Sequence, residues 1–455
     1  MDRKSSLKIG LATLGCKTNH SDAASLAAEL SAQGHTLIPF HQLADVYIVH
    51  TCTVTQKTDY QSRQLIRRAI VRNPRAQVIV TGCYAQVDPE TLRTIPGVDF
   101  IVGIRERQKI PEIIASEKKF KEACIFSSSV GERLSLEDGR LPLFSERTRA
   151  YLKVQDGCNA FCSYCIVPYA RGRSRSLPLQ DALAKAKELA GKGFKEIVLT
   201  GIHLGAYGED LNPSLALLDL LQALEGETPD IRIRLSSIEP KEFAPSLIDF
   251  LAQSQKVCAH LHIPLQSGDD GILQRMNRTY FAAFFADLVK RLLGMIPDLA
   301  IGVDVIAGFP GEDEKAFENT LRLLEDLPIA YLHVFPFSRR QGTPAMTLPA
   351  QVPSQVIKAR CQALRELGAK KRRLFCSAFK GKKVKVLVES KRDRESGRLK
   401  GYSRNYIPVL IPGGNEFINQ ELDIEITEVR EAKVFGKVLS RSKFNRTQIY
   451  ADNNG

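Results

Sequence analysis

Three cysteines lie close together near the middle of the 455-residue chain. Cys158, Cys162 and Cys165 are separated by three and then two residues, directly after a strand-like segment. Three thiolates on one loop can bind three irons of a cubane cluster, whereas most electron-transfer clusters take four cysteines. The open fourth iron can bind the amino and carboxylate groups of S-adenosylmethionine. One electron from such a cluster breaks the sulfonium C–S bond, so the spacing predicts chemistry that begins with a 5′-deoxyadenosyl radical.

A zinc site that takes a further ligand from elsewhere in the chain is the alternative for these three thiols. Their place after the first strand of a repeated β/α pattern favours the iron–sulfur interpretation, because barrel active sites lie at the C-terminal ends of strands. Tyr164 stands between the last two cysteines. Its ring can pack against the cluster or an adenine, and ordinary packing is an equal alternative.

A second set of three cysteines is spread over the first part of the chain. Cys16, Cys52 and Cys83 each stand just past one of three successive strand-like segments. Because the carboxyl ends of parallel strands share one edge of a sheet, these thiols should converge and hold a second cluster with an open iron. The alternative is three unrelated buried cysteines, since free cysteine is often buried. A structural role fits the other four: Cys124, Cys258, Cys361 and Cys376.

The elements that must position these cysteines follow two patterns in the first two-thirds of the chain. The first part alternates strand-like and helical segments, which predicts a parallel sheet with helices on its faces. Its strands are predicted at 7–14, 46–49, 78–80 and 99–102, and its helices near 21–33 and 60–72. The middle part predicts a partial (β/α)6 barrel, shorter than a full eight-unit barrel. Its strands are predicted at 151–154, 196–200, 231–235, 260–264, 301–305 and 331–335, with helices such as 179–190 and 281–293.

The last part changes to short alternating strands with Gly and Asn between them. This pattern predicts a small antiparallel β-barrel, with strands at 382–389, 401–411, 422–428 and 434–439. We therefore expect an α/β chain with an N-terminal parallel-sheet domain, a central partial barrel, a C-terminal β-barrel and a polar tail. The predicted boundaries are 1–126, 144–375, 377–440 and 441–455.

Composition indicates an ordinary globular protein, with 44% apolar and 25% charged residues. No apolar run reaches membrane-spanning length, and the N-terminus shows no apolar signal region. We therefore expect a cytoplasmic protein with no membrane partner, and a monomer is favoured. The formal charge of +13 indicates a polyanionic partner. The stretch 370–404 carries 14 basic and 3 acidic residues, a net charge of +11, and a solvated surface is the alternative for such a run.

Taken together, the motifs resemble the methylthiotransferase family of radical S-adenosylmethionine enzymes over nearly the full chain. The C-terminal barrel resembles the TRAM domain, an RNA-binding module. The resemblance rests on seven segments: LGCKTN at 14–19, TCTVT at 51–55, TGCYAQ at 81–86, GCNAFCSYC at 157–165, SSIEP at 236–240, HIPLQSG at 262–268 and DVIAGFPGE at 304–312.

Segments 15–17 and 166–176 look most like the bacterial branch of this family that acts on N6-threonylcarbamoyladenosine. The resemblance implies methylthiolation of ring carbon 2 of that nucleoside at position 37 of tRNA. It implies two [4Fe-4S] clusters and two uses of S-adenosylmethionine, one to methylate a sulfur on the N-terminal cluster and one to form the radical. The implied partners are the tRNA anticodon stem-loop, a reducing electron donor and a sulfur donor.

One position departs from the family pattern. His50 stands where the family usually has Asn before Thr-Cys. Its ring can ligate a metal or hydrogen-bond near the cluster, but a neutral substitution is the simpler interpretation. We leave His50 outside the ligand set.

Groups at the predicted strand ends of the central barrel fit S-adenosylmethionine binding. Gly201 lets the backbone pass close to the methionine end. Ser236, Ser237 and Glu239 offer contacts for the ribose or the amino group. The remaining cofactor candidates are Tyr164, Gln266, Ser267, Gly308 and Gly311. Each alone is more often a structural residue, and no catalytic residue is predicted beyond the cluster ligands.

Basic side chains provide the candidate RNA contacts. Arg171, Arg173 and Arg175, beside the cysteine loop, are predicted to reach the anticodon backbone. Lys and Arg of the C-terminal barrel are predicted to contact tRNA phosphates.

Three other functions stay open. The same chemistry can act on N6-isopentenyladenosine of tRNA or on an aspartate of a ribosomal protein, and the basic C-terminal domain favours nucleic acid over protein. The third is a non-catalytic iron–sulfur RNA-binding regulator. It is disfavoured because such a site gains nothing from a vacant iron position.

Overall fold

The structure is a computed structural model that describes residues 6–116, 122–130, 136, 140–141, 148–211, 215–431 and 433–441. Its N-terminal domain contains a parallel sheet with strand order β2-β1-β3-β4-β5-β6. The four predicted strands are confirmed, and two short edge strands, β2 and β6, were not predicted. The elements are β1 (Lys8–Thr13), α1 (Lys17–Ala32), β2 (Thr36–Ile38), β3 (Val46–Thr51), α2 (Gln56–Arg72), β4 (Gln77–Gly82), α3 (Cys83–Val87), α4 (Pro89–Arg93), β5 (Phe100–Val102), α5 (Ile110–Ala115) and β6 (Cys124–Phe126).

Strands β3 and β4 form the centre of this sheet, and every one of their residues is buried. Such continuous burial is typical of parallel strands that are covered on both faces. After β3, α2 begins with a capping box in which Thr55 accepts a hydrogen bond from the Thr58 amide at 3.2 Å. This cap fixes the short loop that carries Cys52.

The central domain has the six predicted strands in an open parallel barrel. Two three-stranded sheets, β11-β10-β7 and β12-β13-β14, are joined by the bridges Ile233–Val257 and Ser237–His262. The elements are β7 (Arg149–Lys153), β8 (Gln155–Asp156), α6 (Val167–Arg171), β9 (Arg175–Ser176), α7 (Leu179–Gly191), β10 (Glu196–Thr200), α8 (Leu217–Glu227), β11 (Arg232–Leu235), α9 (Pro245–Gln253), β12 (His260–His262), α10 (Asp270–Arg275), α11 (Ala282–Met295), β13 (Ala300–Ala307), α12 (Glu314–Asp326), β14 (Tyr331–Pro336) and α13 (Ser354–Ser377).

The open side of the barrel lies between its edge strands β7 and β14. Helix α1 of the N-terminal domain packs on β7, where His20 and Tyr151 place their ring centroids 6.3 Å apart. The ammonium group of Lys153 lies 2.5 Å from the carboxylate of Asp22 in α1. The N-terminal domain therefore forms part of the wall around the barrel lumen.

The C-terminal domain is a closed barrel with strand order β15-β16-β17-β19-β18. The single strand predicted at 401–411 is wrong, because a turn that contains Tyr406, with φ 63°, separates β16 from β17. The predicted small antiparallel barrel is confirmed with one exception, since β17 and β19 pair in parallel. The elements are β15 (Lys383–Arg392), β16 (Leu399–Ser403), β17 (Pro408–Ile411), β18 (Glu421–Arg430) and β19 (Lys433–Arg441).

This small barrel docks at the N-terminal end of the central barrel through two buried arginines. Arg232 donates to the carbonyl of Tyr402 at 3.0 Å, and Arg234 donates to the carbonyls of Ser403 and Arg404 at 3.2 and 3.0 Å. The buried carboxylate of Glu196 lies 2.6 Å from Arg232 and 3.0 Å from Arg234. Satisfied charge networks of this kind fix one relative orientation of the domains.

The predicted domain boundaries stay predictions. Helix α13 ends at Ser377 and β15 begins at Lys383. Much of the segment predicted to link the first two domains, and all of the predicted tail after residue 441, lie outside the described residues. No helix in the described part of the chain is long and apolar enough to cross a membrane.

Candidate active site: two sets of three cysteines

The loop that carries Cys158, Cys162 and Cys165 is closed at its base by a short antiparallel pair, β8 with β9. Gly157 begins the loop with φ 75°, and a β-carbon there would lie 2.0 Å from the carbonyl oxygen of Arg173. Only glycine permits that approach. The Cys158 amide donates to the carbonyl of Gly172 at 3.1 Å. We call residues 157–174 the cysteine loop.

A second segment, 275–278, holds the cysteine loop from the opposite side. The Ser163 amide donates to the Met276 carbonyl at 3.0 Å, and its hydroxyl donates to the Arg275 carbonyl at 2.8 Å. The side-chain amide of Asn277 donates to the carbonyls of Ala160 and Phe161 at 3.3 and 3.2 Å. The thiols are therefore positioned by backbone contacts from two directions.

Two charged or polar side chains that sequence reasoning missed contact these thiols. Arg278 Nη1 lies 3.5 Å from Cys162 Sγ and 2.9 Å from Glu239 Oε2. His203 Nδ1 lies 3.6 Å from Cys158 Sγ, and its other ring nitrogen pairs with Glu242. Neither residue belongs to a recognisable spacing pattern, so only the fold reveals them.

The electrostatics of the cysteine loop fit a metal centre. Burial raises the pKa of Cys162, and burial together with the nearby thiols raises the pKa of Cys165 to about 12. Thiols with such values bind metal only when the metal displaces the proton. Three neighbouring thiols on one loop are the donor set expected for three irons of a cubane cluster.

The second set converges at one edge of the N-terminal sheet, as predicted. Cys16 caps α1, Cys52 follows β3, and Cys83 begins α3. A β-carbon on Gly15 would lie 2.8 Å from Cys52 Sγ. Burial, together with the neighbouring Cys52 and Cys16, raises the pKa of Cys83 to about 12. All ten cysteines of the chain are free thiols.

Helix α6 connects the two sets. It begins two residues after Cys165 and packs on α3, where Ala170 shares a core cluster with Cys83. Arg171 at its end donates to Asn19 Oδ1 at 2.6 Å, and the same oxygen lies 3.8 Å from Cys83 Sγ. A helix of five residues is only about 7 Å long. The two sets of thiols therefore face a common region of the molecule.

The structure corrects the prediction that Arg171 reaches RNA. Its side chain is fully enclosed and pairs with Asp156 at 2.8 Å and Asp22 at 2.9 Å. Arg175 is partly buried and lies 3.4 Å from Asp156. Arg173 is exposed, with its guanidinium 4.7 Å from the centre of the Phe161 ring. Arg173 thus stays a candidate RNA contact.

His50 lies fully buried at the end of β3, two residues before Cys52. Both ring nitrogens lack a hydrogen-bond partner among the described residues. Burial lowers the pKa of His50 to about 3, which keeps the imidazole neutral in the metal-free protein.

The first group of predicted cofactor contacts lies at the ends of β10 and β11. A β-carbon on Gly201 would lie 2.8 Å from Gln155 Oε1, so its close approach is to this side chain. Ser236 is buried, and its hydroxyl oxygen has no hydrogen-bond partner in the described part of the chain. Ser237 bridges to β12. Glu239 reaches the cysteine loop through Arg278.

The remaining predicted contacts follow β12 and β13. Gln266 has φ 69° and bridges to Val305. Ser267 places its hydroxyl 3.3 Å from that of Thr320, on α12.

Gly308 and Gly311 adopt φ values of 81° and 88°. Their added β-carbons would meet Ile357 and Arg275 at 2.3 and 2.1 Å. Tyr164 packs edge-on against Phe309, with ring centroids 6.5 Å apart. All of these stay predicted cofactor contacts.

The lumen of the central barrel holds a polar cluster that sequence reasoning also missed. Asp304 lies 2.7 Å from His262 Nε2 and 3.3 Å from His333 Nδ1. Tyr331 lies 2.8 Å from His260 Nε2. Burial opposes ionisation of Asp304, but the two histidines beside it hold the pKa of that carboxyl well below its usual range. Period-2 alternation in β13 and β14 brings these groups to one face.

A cavity of about 990 Å³ is lined in part by residues of α3 and α6. Tyr84, which follows Cys83, and Ile166, which follows Cys165, both line it. Arg63 and Arg339 supply positive charge at its wall. Its lining thus includes a residue adjacent in sequence to one cysteine of each set, and it is mixed in polarity.

Comparisons with known proteins agree with this geometry. Three family profiles match the chain: Uncharacterized protein family UPF0004 at 8–103, the Radical SAM superfamily at 152–324 and the TRAM domain at 378–439. The threonylcarbamoyladenosine tRNA methylthiotransferase MtaB of Bacillus subtilis is 40% identical over 91% of this chain and 92% of its own length. The chain belongs to the radical S-adenosylmethionine methylthiotransferase family. It is a radical S-adenosylmethionine enzyme with a TRAM domain.

This methylthiotransferase is also similar to other enzymes of known sequence and to a solved structure. The Aquifex aeolicus enzyme of the same name is 38% identical over 90% of this chain and 98% of the relative. A tRNA-2-methylthio-N(6)-dimethylallyladenosine synthase of Clostridium botulinum is 32% identical over 93% and 95%. Among solved structures, the methyltransferase TsrM of Kitasatospora setae with cobalamin and a [4Fe-4S] cluster bound has a TM-score of 0.54 at 14% identity, over 80% of this chain and 85% of that chain. That likeness concerns the fold alone.

Proposed function

We propose that this methylthiotransferase converts N6-threonylcarbamoyladenosine at position 37 of tRNA to its 2-methylthio derivative. The observation that carries the proposal is the pairing of two sets of three thiols through α6, which packs on Cys83. Each set supplies three ligands and leaves one iron of a cubane open.

The residues that would hold the two [4Fe-4S] clusters are Cys158, Cys162 and Cys165, and Cys16, Cys52 and Cys83. When bound with S-adenosylmethionine, the first cluster supplies the radical that activates the adenosine ring, and the second supplies the sulfur that is methylated and transferred. Arg278 and His203 place hydrogen-bond donors on two thiols of the first set. Such contacts tune and orient a metal site.

The threonylcarbamoyl substrate is favoured by degree of similarity. Relatives named for this nucleoside reach 40% and 38% identity, against 32% for a relative named for the dimethylallyl nucleoside. The dimethylallyl nucleoside is the second candidate substrate. Both are modified adenosines of tRNA, so the chemistry at ring carbon 2 is the same.

The C-terminal barrel is the proposed tRNA-binding surface, and the anticodon stem-loop is the proposed ligand. Lys380 and Lys383 at the start of this domain, and Lys370 and Arg373 on the preceding α13, are exposed and have no ion pair in the described part of the chain. Cations of this kind bind phosphates with an affinity that falls as salt rises. A tRNA substrate supports a cytoplasmic location, and a reducing electron donor and a sulfur donor complete the proposed partners.

Nucleoside mass spectrometry of tRNA from a deletion strain tests the substrate. We expect the loss of the 2-methylthio-threonylcarbamoyl nucleoside alone and its return on complementation. Loss of the isopentenyl derivative instead would select the second candidate. An unchanged nucleoside profile would contradict both.

Iron analysis of the anaerobically reconstituted protein tests the two-cluster proposal. We expect about eight irons per chain, and about four after Cys52→Ala or Cys162→Ala. Cys124→Ala is the matched control, since Cys124 lies in edge strand β6 outside both sets, and it should retain the full count. A count of about four in the unaltered protein contradicts the second cluster.

A further inference from the structure

Helix α2 (Gln56–Arg72) presents a positively charged face to solvent. Its inner side packs on the N-terminal sheet and includes Ile66 and Ala69, which are fully buried. Its single acidic residue, Asp59, is buried and lies 2.7 Å from Arg340. The outer side of the helix therefore carries cations and no anion. We call four exposed residues of this helix the α2 face: Lys57, Arg67, Arg68 and Arg72.

The cations of the α2 face lack counter-charges. Within the described residues, none of the four forms an ion pair. Arg72 donates a hydrogen bond to the Phe40 carbonyl at 2.9 Å, which leaves its charge without an anion. By contrast, the exposed Arg93 on α4 of the same domain lies 3.0 Å from Glu122. The α2 face is therefore available to an anionic ligand.

The energetics of an isolated helix do not explain this arrangement of charge. Arg68 and Arg72 are four residues apart, and like charges at that spacing destabilise a helix. Lys57 lies in the first turn, where the partial positive charge of the helix N-terminus makes a cation unfavourable. The last turn, where a cation is favoured, contains Arg72. Bound anions would offset the repulsion along the α2 face.

The start of α2 is fixed beside the N-terminal set of thiols. Thr55, which caps the helix, lies three residues after Cys52, and the amide of the next residue donates to Ser338 Oγ at 3.0 Å. From Lys57 to Arg72 the helix then extends for about 22 Å. Because α2 leads from the carboxyl end of β3 back to the start of β4, it runs away from the sheet edge that holds Cys52. The α2 face therefore begins near the candidate active site and continues away from it.

We propose that the α2 face binds the phosphate backbone of the anticodon stem of tRNA. The inference rests on the proposed function, because it names the part of the tRNA that this face holds. Nucleotide 37 lies in the anticodon loop and must reach the thiols, so the stem is the part that continues away from them along α2. Guanidinium groups suit this contact, because their planar donors match phosphate oxygens. Phosphate contacts carry no sequence information directly, so the α2 face should accept stems of different sequence.

A second basic surface, on the C-terminal barrel and α13, lies at the other end of β14. At the start of this strand, the centre of the Tyr331 ring lies 6.4 Å from that of Tyr406 in the C-terminal barrel. After the end of the strand, Ser338 contacts the first turn of α2. A strand of six residues is about 20 Å long, so α2 and the C-terminal barrel flank the open side of the central barrel. One tRNA arm that spans this opening can contact both surfaces together.

Binding of RNA to the reconstituted full chain over a series of salt concentrations tests the inference. The probes are a fluorescent anticodon stem-loop that carries the threonylcarbamoyl group and the same loop as a single strand without the stem. We expect Arg67→Gln with Arg68→Gln to bind the stem-loop about tenfold or more weakly at low salt. The slope of log K against log salt should fall by up to about 1.8, since each lost duplex phosphate contact accounts for about 0.9. Binding of the single strand should be unchanged.

Two further variants distinguish phosphate binding from a general loss of charge. Arg93→Gln with Lys187→Gln removes the same charge from two exposed cations that are already paired, and it should retain the slope and the affinity. Arg67→Lys with Arg68→Lys keeps the charge and should retain most of the slope. If the paired control loses as much affinity as the α2 variant, the effect is one of net charge and the inference is wrong. Equal losses for the stem-loop and the single strand would also contradict it, because the contact would then be with the loop.

The outcome for the proposed function is read separately, by nucleoside analysis of the same stem-loop after turnover. If the unaltered protein methylthiolates the RNA and the Arg67→Gln, Arg68→Gln variant retains the unaltered slope, only the inference about α2 fails. If the slope falls as expected but the unaltered protein does not methylthiolate the RNA, the proposed function fails and the inference stands. Iron content and circular dichroism of each variant are measured alongside, so that a folding defect is recognised.

Discussion

Arg171 and Asp22 lie 149 positions apart in the chain, yet Nη2 of the arginine is 2.9 Å from the carboxylate. Both side chains are almost completely buried, with side-chain exposures of 0% and 1%. Asp22 belongs to α1 of the N-terminal domain, and Arg171 ends α6, the short helix within the cysteine loop. This ion pair therefore joins the two domains at the level of the two sets of thiols.

Loss of this pair should destabilise the protein strongly. Arg171→Met removes one of the two cations that the buried carboxylates of Asp22 and Asp156 share, Lys153 being the other, and a broken buried pair costs about 3–5 kcal/mol. Chemical denaturation of the metal-free protein measures this change. The control is Lys187→Ala, which removes a surface pair whose side chains are 47% and 50% exposed and should cost less than about 1 kcal/mol. Equal effects of the two substitutions would contradict the structural role.

The rate of alkylation should differ between the cysteines of the N-terminal set. In the metal-free protein at neutral pH, iodoacetamide should label the exposed Cys16 well before Cys83, which is buried and has a pKa of about 12. The thiolate is the reactive form, and a raised pKa keeps it scarce. Mass spectrometry of timed samples gives the order, and reconstitution with iron should protect both. Faster labelling of Cys83 would show that the N-terminal set opens readily without metal.

Arg278 should tune the cluster at the cysteine loop. Its Nη1 lies 3.5 Å from Cys162 Sγ, and hydrogen bonds and charge near cluster sulfurs set the reduction potential. Arg278→Met should therefore make the potential more negative and slow the cleavage of S-adenosylmethionine. Redox titration followed by electron paramagnetic resonance measures the shift. Arg278→Lys, which retains the charge, should restore part of it, and an unchanged potential in Arg278→Met would rule out this role.

The C-terminal barrel should contribute to the salt dependence of tRNA binding. Removing one lysine–phosphate interaction reduces the slope of log K against log salt by about 0.9 for duplex and about 0.7 for single strands. Lys380→Ala with Lys383→Ala should therefore lower the slope by up to about two. Lys385→Ala is the matched control, since this lysine already lies 3.5 Å from Asp423. An unchanged slope in the double variant would show that these two lysines do not contact RNA phosphates.

The sequence predicted the position of both cysteine sets because parallel strands impose a simple rule. Cys16, Cys52 and Cys83 each follow a strand that can be recognised in the sequence from its run of apolar residues. The three strands, β1, β3 and β4, are neighbours in the sheet. Convergence at one edge then follows from topology alone. The same reasoning gave the six barrel strands to within a few residues.

The sequence did not predict contacts between residues that are far apart in the chain. In the sequence, Arg171 resembles Arg173 and Arg175, and only the packing of α6 on α3 shows that Arg171 is buried. Arg278 lies 116 positions from Cys162, so no local pattern connects them. The turn at Tyr406 was missed because a tyrosine with φ 63° is uncommon. The centre of its ring lies 4.6 Å from that of His260.

The docking of the C-terminal barrel has a consequence for how this enzyme can diverge. Arg232 and Arg234 recognise the carbonyl oxygens of residues 402–404, and every amino acid supplies a carbonyl oxygen. Side chains on the outer surface of the small barrel can therefore change while the joint keeps its geometry. An appended RNA-binding module attached in this way can acquire a new set of preferred tRNAs by surface mutation, without disturbing the chamber in which the radical reacts.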